Sequence, residues 1–250
     1  MSKSTHAFKF LSEGGRGIFS DFRWPLPWNG TPGSWVIAGL PLEPCVNGIH
    51  VCREEDLPYW IDDELWVIEL RGEVAAHDRM IVAEEGRLVT KIDAWNREAT
   101  TSFSETCALR ARASAVETLR SADRDDDAAM LEGAADLTLI AEVAQAIVRS
   151  GVSAESTSVS FAADAAALAR GARPEATPQD MASVGAPSAG AIAANLAYVV
   201  AHIAGCAAGP PGTAEYEAAA DRERAWQRRW FRDLVAESPP VVSSSPEEGS

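Results

Sequence analysis

Cys45, His50 and Cys52 place two thiols and an imidazole within eight positions of the stretch CVNGIHVCREEDLPYW, residues 45–60. Thiolate and imidazole are the donors zinc prefers, and a thiol beside an imidazole is also a nucleophile beside a base. A tetrahedral zinc site needs a fourth ligand, and no C-x2-C pair occurs to set two ligands on a turn. Only the fold could bring Cys107 or His77 to complete the set. His50 and Cys52, two positions apart, share one face of an extended strand. Their α-carbons then stand about 6 to 7 Å apart, too far for a good contact without a bend. Both cysteines also read simply as small buried hydrophobes. What remains is His50 as a site-lining imidazole, with Glu69 and Glu73 on a following strand as its candidate catalytic partners.

Other stretches carry less. SEGGRGIF is glycine-rich but lacks the Lys-Ser/Thr of a phosphate-binding loop and reads as a turn. Asp62, Asp63 and Glu64 are adjacent rather than opposed across a cleft, so a solvated turn is expected there. DRDDDAA lacks the alternating ligands of a calcium loop and suits the first turn of a helix. Trp24, Trp28 and Trp35, in a Pro/Gly-rich stretch, together with Tyr59 and Trp60, are candidate binding residues. Such rings anchor interfaces, though they serve equally well to pack a small core.

The elements that must position these residues divide the chain in two. Six of the eight tryptophans, Trp24 to Trp95, precede Asn96, while alanine dominates afterwards. Aromatic and β-branched residues favour pleated surfaces and alanine favours helix, so an α+β protein is expected. It would have a small mixed or antiparallel β-sheet domain over 1–96, an alanine-rich helical bundle over 97–237, and a disordered acidic tail over 238–250. Strands are predicted in GSWVIAG, GIHVC, ELWVIELRGEV and GRLVTKIDAW. In the third, Trp66, Ile68 and Leu70 should face the core, and Leu65, Val67 and Glu69 the other side. EEDLPYWIDD fits one helical turn or a covering loop. Helices are predicted over 98–121, 127–150 and 154–170, then from an N-cap at Ser188 and from one at Thr213. The last should bury Trp226, Trp230 and Leu234, and 171–187 should be a loop.

At 250 residues the chain can bury a core without staples. Its four dispersed cysteines and the absence of a secretory leader in MSKSTHAFKF lead us to expect a reducing, cytoplasmic setting and no membrane. A formal charge of −15 argues against nucleic acid as a partner, because phosphate backbones are gripped by Lys and Arg.

The stretch from AFKFLSEGGRGIFSDFRWPL through EPCVNGIHVCREEDLPYW to DELWVIELRGEVAAHDRMIVAEEGRLVTKIDAWN resembles an uncharacterised domain of bacterial and phage proteins. That domain carries C-x2-G-[FIL]-H-x-C, an acidic and aromatic segment, and a strand ending in G-E. The matching positions are Cys45, Gly48, Ile49, His50, Cys52, Tyr59, Trp60, Trp66, Glu69, Gly72 and Glu73. The resemblance implies a bacterial relative without an assigned activity. GIHVCREEDLPYW is also similar to the G-[IL]-Y-[FL]-A strand and turn of the poly-ADP-ribose polymerase branch of ADP-ribosyltransferases. That likeness implies NAD as cofactor, His50 in place of the tyrosine that stacks on nicotinamide, and Glu69 or Glu73 as the charge-stabilising carboxylate. The chain lacks the upstream His-Gly-Ser/Thr element and the serine pair of that family.

Three functions follow as expectations. The first is a non-catalytic module that binds a protein partner or forms a homo-oligomer. The second is a nucleotide-acting enzyme centred on His50 with Glu69 or Glu73. The third is a zinc-stabilised domain using Cys45, His50 and Cys52.

Overall fold

A computed structural model describes residues 5–151, 156–173 and 187–237. The acidic tail, and most of the loop expected over 171–187, lie outside them. The fold is α+β: an N-terminal antiparallel five-stranded sheet followed by a C-terminal helical bundle.

The strands are β1 (Thr5–Leu11), β2 (Val36–Ile37), β3 (Ile49–Val51), β4 (Glu64–Ala76) and β5 (Ile81–Lys91). The sheet runs β1-β4-β5-β2, with β3 also paired to β5. Phe8 and Cys52 exchange two backbone hydrogen bonds of 2.9 Å, so β3 reaches back to β1. The ring β1–β4–β5–β3 is thereby joined at one residue pair, and the sheet curls into a small, partly open barrel. The expected strands are present in shortened or lengthened form. THAFKFL, where the sequence reading placed none, supplies β1. Gly86 was expected to begin a strand, yet β5 runs through it. The position faces the barrel interior: a Cβ there would lie 3.0 Å from Ile49 Cγ2 and 3.1 Å from Ile68 Cδ1. Close packing, not a strand end, favours glycine here.

β4 buries both faces. Trp66, Ile68 and Leu70 fill the barrel with Leu11, Ile49 and Leu88. Leu65 and Val67, expected on the opposite side, are buried against the helices. Alternation alone does not distinguish a sheet covered on one side from one covered on both.

The helices are α1 (Arg97–Ser121), α2 (Asp125–Glu132), α3 (Leu137–Ser150), α4 (Ser156–Ala172), α5 (Ala189–Ala208) and α6 (Ala214–Ala236). Side chains start them: Asn96 accepts from the Ala99 amide at 3.1 Å, Ser188 from Ala191 at 3.1 Å and Thr213 from Tyr216 at 3.3 Å. The single helix expected over 127–150 is two. Gly133 caps α2, and Asp136 opens α3 by accepting from the Leu139 amide at 2.9 Å. Buried alanines such as Ala108, Ala111, Ala162, Ala166, Ala193 and Ala197 let α1, α4 and α5 approach closely. α5 has the length and apolar composition of a membrane span, and here it packs on α1, α4 and α6.

α6 buries Ala219, Glu223, Gln227 and Phe231, spaced by four, while Trp226, Trp230 and Leu234 flank that stripe and are only partly buried. The polar members are paired, as burial demands. Arg110 grips Glu223 with two bonds of 2.6 and 2.5 Å, and Gln227 Nε2 donates to the Ala197 carbonyl at 2.8 Å.

One aromatic cluster joins the halves. Trp95 lies 5.8 Å from Phe10 of β1 and 5.2 Å from Phe231 of α6, ring centre to ring centre. Its Nε1 donates to the Asp62 carbonyl at 2.7 Å. Asp62 to Glu64 form an internal hub rather than a solvated turn. Ser12 donates to Asp62 at 3.0 Å, and the Gly15 amide and Lys91 donate to Glu64 at 3.1 and 2.9 Å. The Gly190 amide at the start of α5 donates to Asp63 at 3.1 Å. A Cβ at Gly190 would overlap the Asp62–Asp63 peptide, so only glycine lets α5 dock here.

Candidate functional site

Beyond the Phe8–Cys52 pair, β1 and β3 diverge. The opening leads into a cavity of about 790 Å³, with walls from the two strands and from the segments 17–24, 36–38 and 45–48. That volume lies within the range of small-ligand sites. The lining is largely apolar, with Phe10, Ile18, Trp24, Ile49 and Val51 among its side chains. Its rim is unusual for a monomer surface. Phe19 is 88% exposed, Val46 76% and Ile37 66%, and all three line the opening.

Lys9 and His50 bring ionisable nitrogen groups to this apolar space. Lys9 follows the inward phase of β1, between Ala7 and Leu11. Its Nζ donates to the His50 carbonyl at 2.6 Å and lies 5.0 Å from the centre of the Trp24 ring. Burial disfavours the ammonium and lowers its pKa to about 8. The imidazole of His50 accepts from the Cys45 amide through Nε2 at 2.8 Å. Burial, then the Lys9 ammonium, hold its pKa below the ordinary histidine value, against the pull of a bond to the Gly48 backbone. His50 is therefore neutral near pH 7, and its acceptor nitrogen is already engaged.

The Cys52 thiol is equally quiet. Cys52 is buried, its Sγ donates to the Phe8 carbonyl at 3.6 Å, and burial pushes its pKa strongly upward. Cys45 is exposed, on backbone with φ of 62°. Among the described residues no three His, Cys, Asp or Glu side chains gather in a group able to hold a metal, so Cys45, His50 and Cys52 form no zinc cage.

The carboxylates expected to serve His50 are elsewhere. Glu69 accepts from Arg87 Nε and Nη2, both at 2.7 Å, and Glu73 is exposed on the distal part of β4. Neither lines the cavity. Of the expected aromatic binders, Trp24 and Trp60 line it. Trp35 is held between Arg71 at 3.9 Å and Arg87 at 4.6 Å, and Tyr59 between Arg79 at 4.3 Å and Arg224 at 4.8 Å. Trp28 stands 78% exposed outside the lining.

The sequence reading missed Lys9, although a lysine in the inward phase of AFKFL was a visible signal. It also missed an arrangement on α5, where His202 and Cys206 are one helical turn apart. His202 Nδ1 lies 2.7 Å from Tyr216 Oη, and Cys206 Sγ lies 3.5 Å from His202 Nε2. Burial raises the Cys206 pKa, which keeps the thiol protonated rather than nucleophilic. Compared with protein-family profiles, with curated proteins and with solved structures, the chain finds no match in any of the three, so both resemblances rest on the quoted residues alone.

Proposed function

We propose that this protein is a non-catalytic interaction module whose receptor is the cavity between β1 and β3. The partner is a protein segment that enters in extended form and seats an apolar side chain inside. The observation that carries the reading is the apolar rim, Phe19, Ile37 and Val46, exposed around an apolar cavity. Large exposed apolar groups clustered at one opening mark interaction sites. The diverging edges of β1 and β3 offer backbone to an incoming extended chain, the recognition mode known as strand addition. Against catalysis stand the engaged acceptor nitrogen of His50, the protonated thiol of Cys52, and the absence of Glu69 and Glu73 from the lining.

Panning a random extended-peptide library on the immobilised protein tests this. Enriched peptides should carry apolar anchors and lose at least about tenfold in affinity on the Ile37→Asp/Val46→Asp double variant, since each buried anchor contributes of order 1 to 3 kcal/mol. Both positions are well exposed, so the variant should melt near the wild-type temperature. Binders indifferent to the double variant, or none at all, would overturn the reading.

A further inference from the structure

The cavity contains a charge without a counter-charge. Lys91, Arg71 and Arg87 on the same barrel each meet a carboxylate, Glu64, Glu85 and Glu69 respectively. Lys9 meets none among the described residues; its one hydrogen-bond partner is the His50 carbonyl. A carbonyl satisfies one of the three ammonium donors and supplies no negative charge. Two donors remain at the wall of an apolar cavity, where an unpaired charge is costly and an anion is correspondingly favoured.

Resting on the interaction reading above, we infer that the seated group is the C-terminal residue of a partner protein, with its apolar side chain in the cavity and its α-carboxylate on Lys9 Nζ. A chain terminus carries a carboxylate and a side chain on the same carbon, so both needs of the cavity are met by one residue. An internal Asp or Glu would bring the carboxylate without the apolar group, and an internal Leu or Phe the reverse. The opening between β1 and β3 lets the preceding residues leave along the strand edges. Capture of a C-terminal carboxylate is a known mode of peptide recognition.

The test uses a synthetic peptide library tethered at its N-terminus, with the last three positions varied over Val, Ile, Leu, Met and Phe. It is prepared once with free carboxylates and once as C-terminal amides. Affinities for the full chain are read by fluorescence polarisation of the selected members. The expected result is binding at least about tenfold tighter for free acid than for amide, the difference that about 1.4 kcal/mol produces. Lys9→Gln, which keeps a donor for the His50 carbonyl, and Lys9→Met should both abolish that preference, bringing the acid-to-amide ratio to about one. Equal binding of acid and amide by the wild type would overturn the inference yet leave the interaction reading standing. Loss of both forms would remove the reading with it. Decanoate in a parallel titration separates the sources of the same chemistry: saturable decanoate binding with no peptide bound would overturn the assignment to a protein terminus. The wild-type ratio decides the matter even where a Lys9 variant does not fold.

Discussion

Lys9 illustrates how one residue's environment sets its behaviour. Between pH of about 8 and the ordinary lysine value of 10.5, the folded chain has released this proton and the unfolded chain still holds it. Unfolding then takes up a proton, and wild-type stability rises with pH across that window. Lys9→Met has no such contribution. Melting curves of the two proteins at pH 7, 8, 9 and 10 should show the variant losing ground steadily from pH 8 upward. A constant gap would mean that Lys9 titrates as an ordinary surface lysine. His50, by contrast, is neutral at pH 7 already, so it adds no protonation step to binding in the same range. Its role is to hold the 45–48 turn by accepting from Cys45. The cluster of two cysteines and a histidine, so prominent in the sequence, shapes one wall of the cavity.

At the scale of elements, two glycines stand where an added side chain would meet close neighbours. Gly86→Val should crowd Ile49 and Ile68 inside the barrel and cost about 1 to 3 kcal/mol, as overpacked cores do. Gly190→Ala should cost a similar amount by pushing α5 off the Asp62–Asp63 peptide. Urea titrations check both, and an unchanged midpoint for either would show that the close approach relaxes freely. These cases mark where the sequence stops being legible. The switch from aromatic, β-branched segments to alanine-rich ones marked the α+β division, and Ser188 and Thr213 announced helix starts through local side-chain chemistry. What stayed hidden was tertiary. Gly86 has the look of a strand boundary because its reason is Ile49, thirty-seven positions away. Glu69 looks catalytic until β5 sets Arg87 across from it. Asp62 to Glu64 look solvated because their partners, Ser12, Gly15 and Gly190, are distant in the chain. Phe19 and Val46 come from two separate loops and Ile37 from the short strand β2, and no local pattern joins them into a rim.

For the whole molecule, the Trp95 cluster makes the sheet and the bundle depend on each other. Trp95→Ala should cost about 3 to 5 kcal/mol. It should lower the transitions seen by tryptophan fluorescence and by helical circular dichroism together; separated transitions would mean that the halves fold independently. The net charge of −15 acts on the same scale. It repels an anionic chain end at long range, so association of a free-carboxylate peptide should quicken as salt is raised from 10 to 150 mM, the Debye length falling from about 30 to 8 Å. The claim on which the rest depends is that the gap between β1 and β3 is the seat of the ligand. Amide chemical shifts of the isotopically labelled chain, titrated with the tightest free-carboxylate peptide, test it most directly. Perturbations should concentrate at Lys9, Phe10, Gly48 and His50 and at the Trp24 indole. Perturbations confined to other surfaces, with those five unmoved, would contradict it.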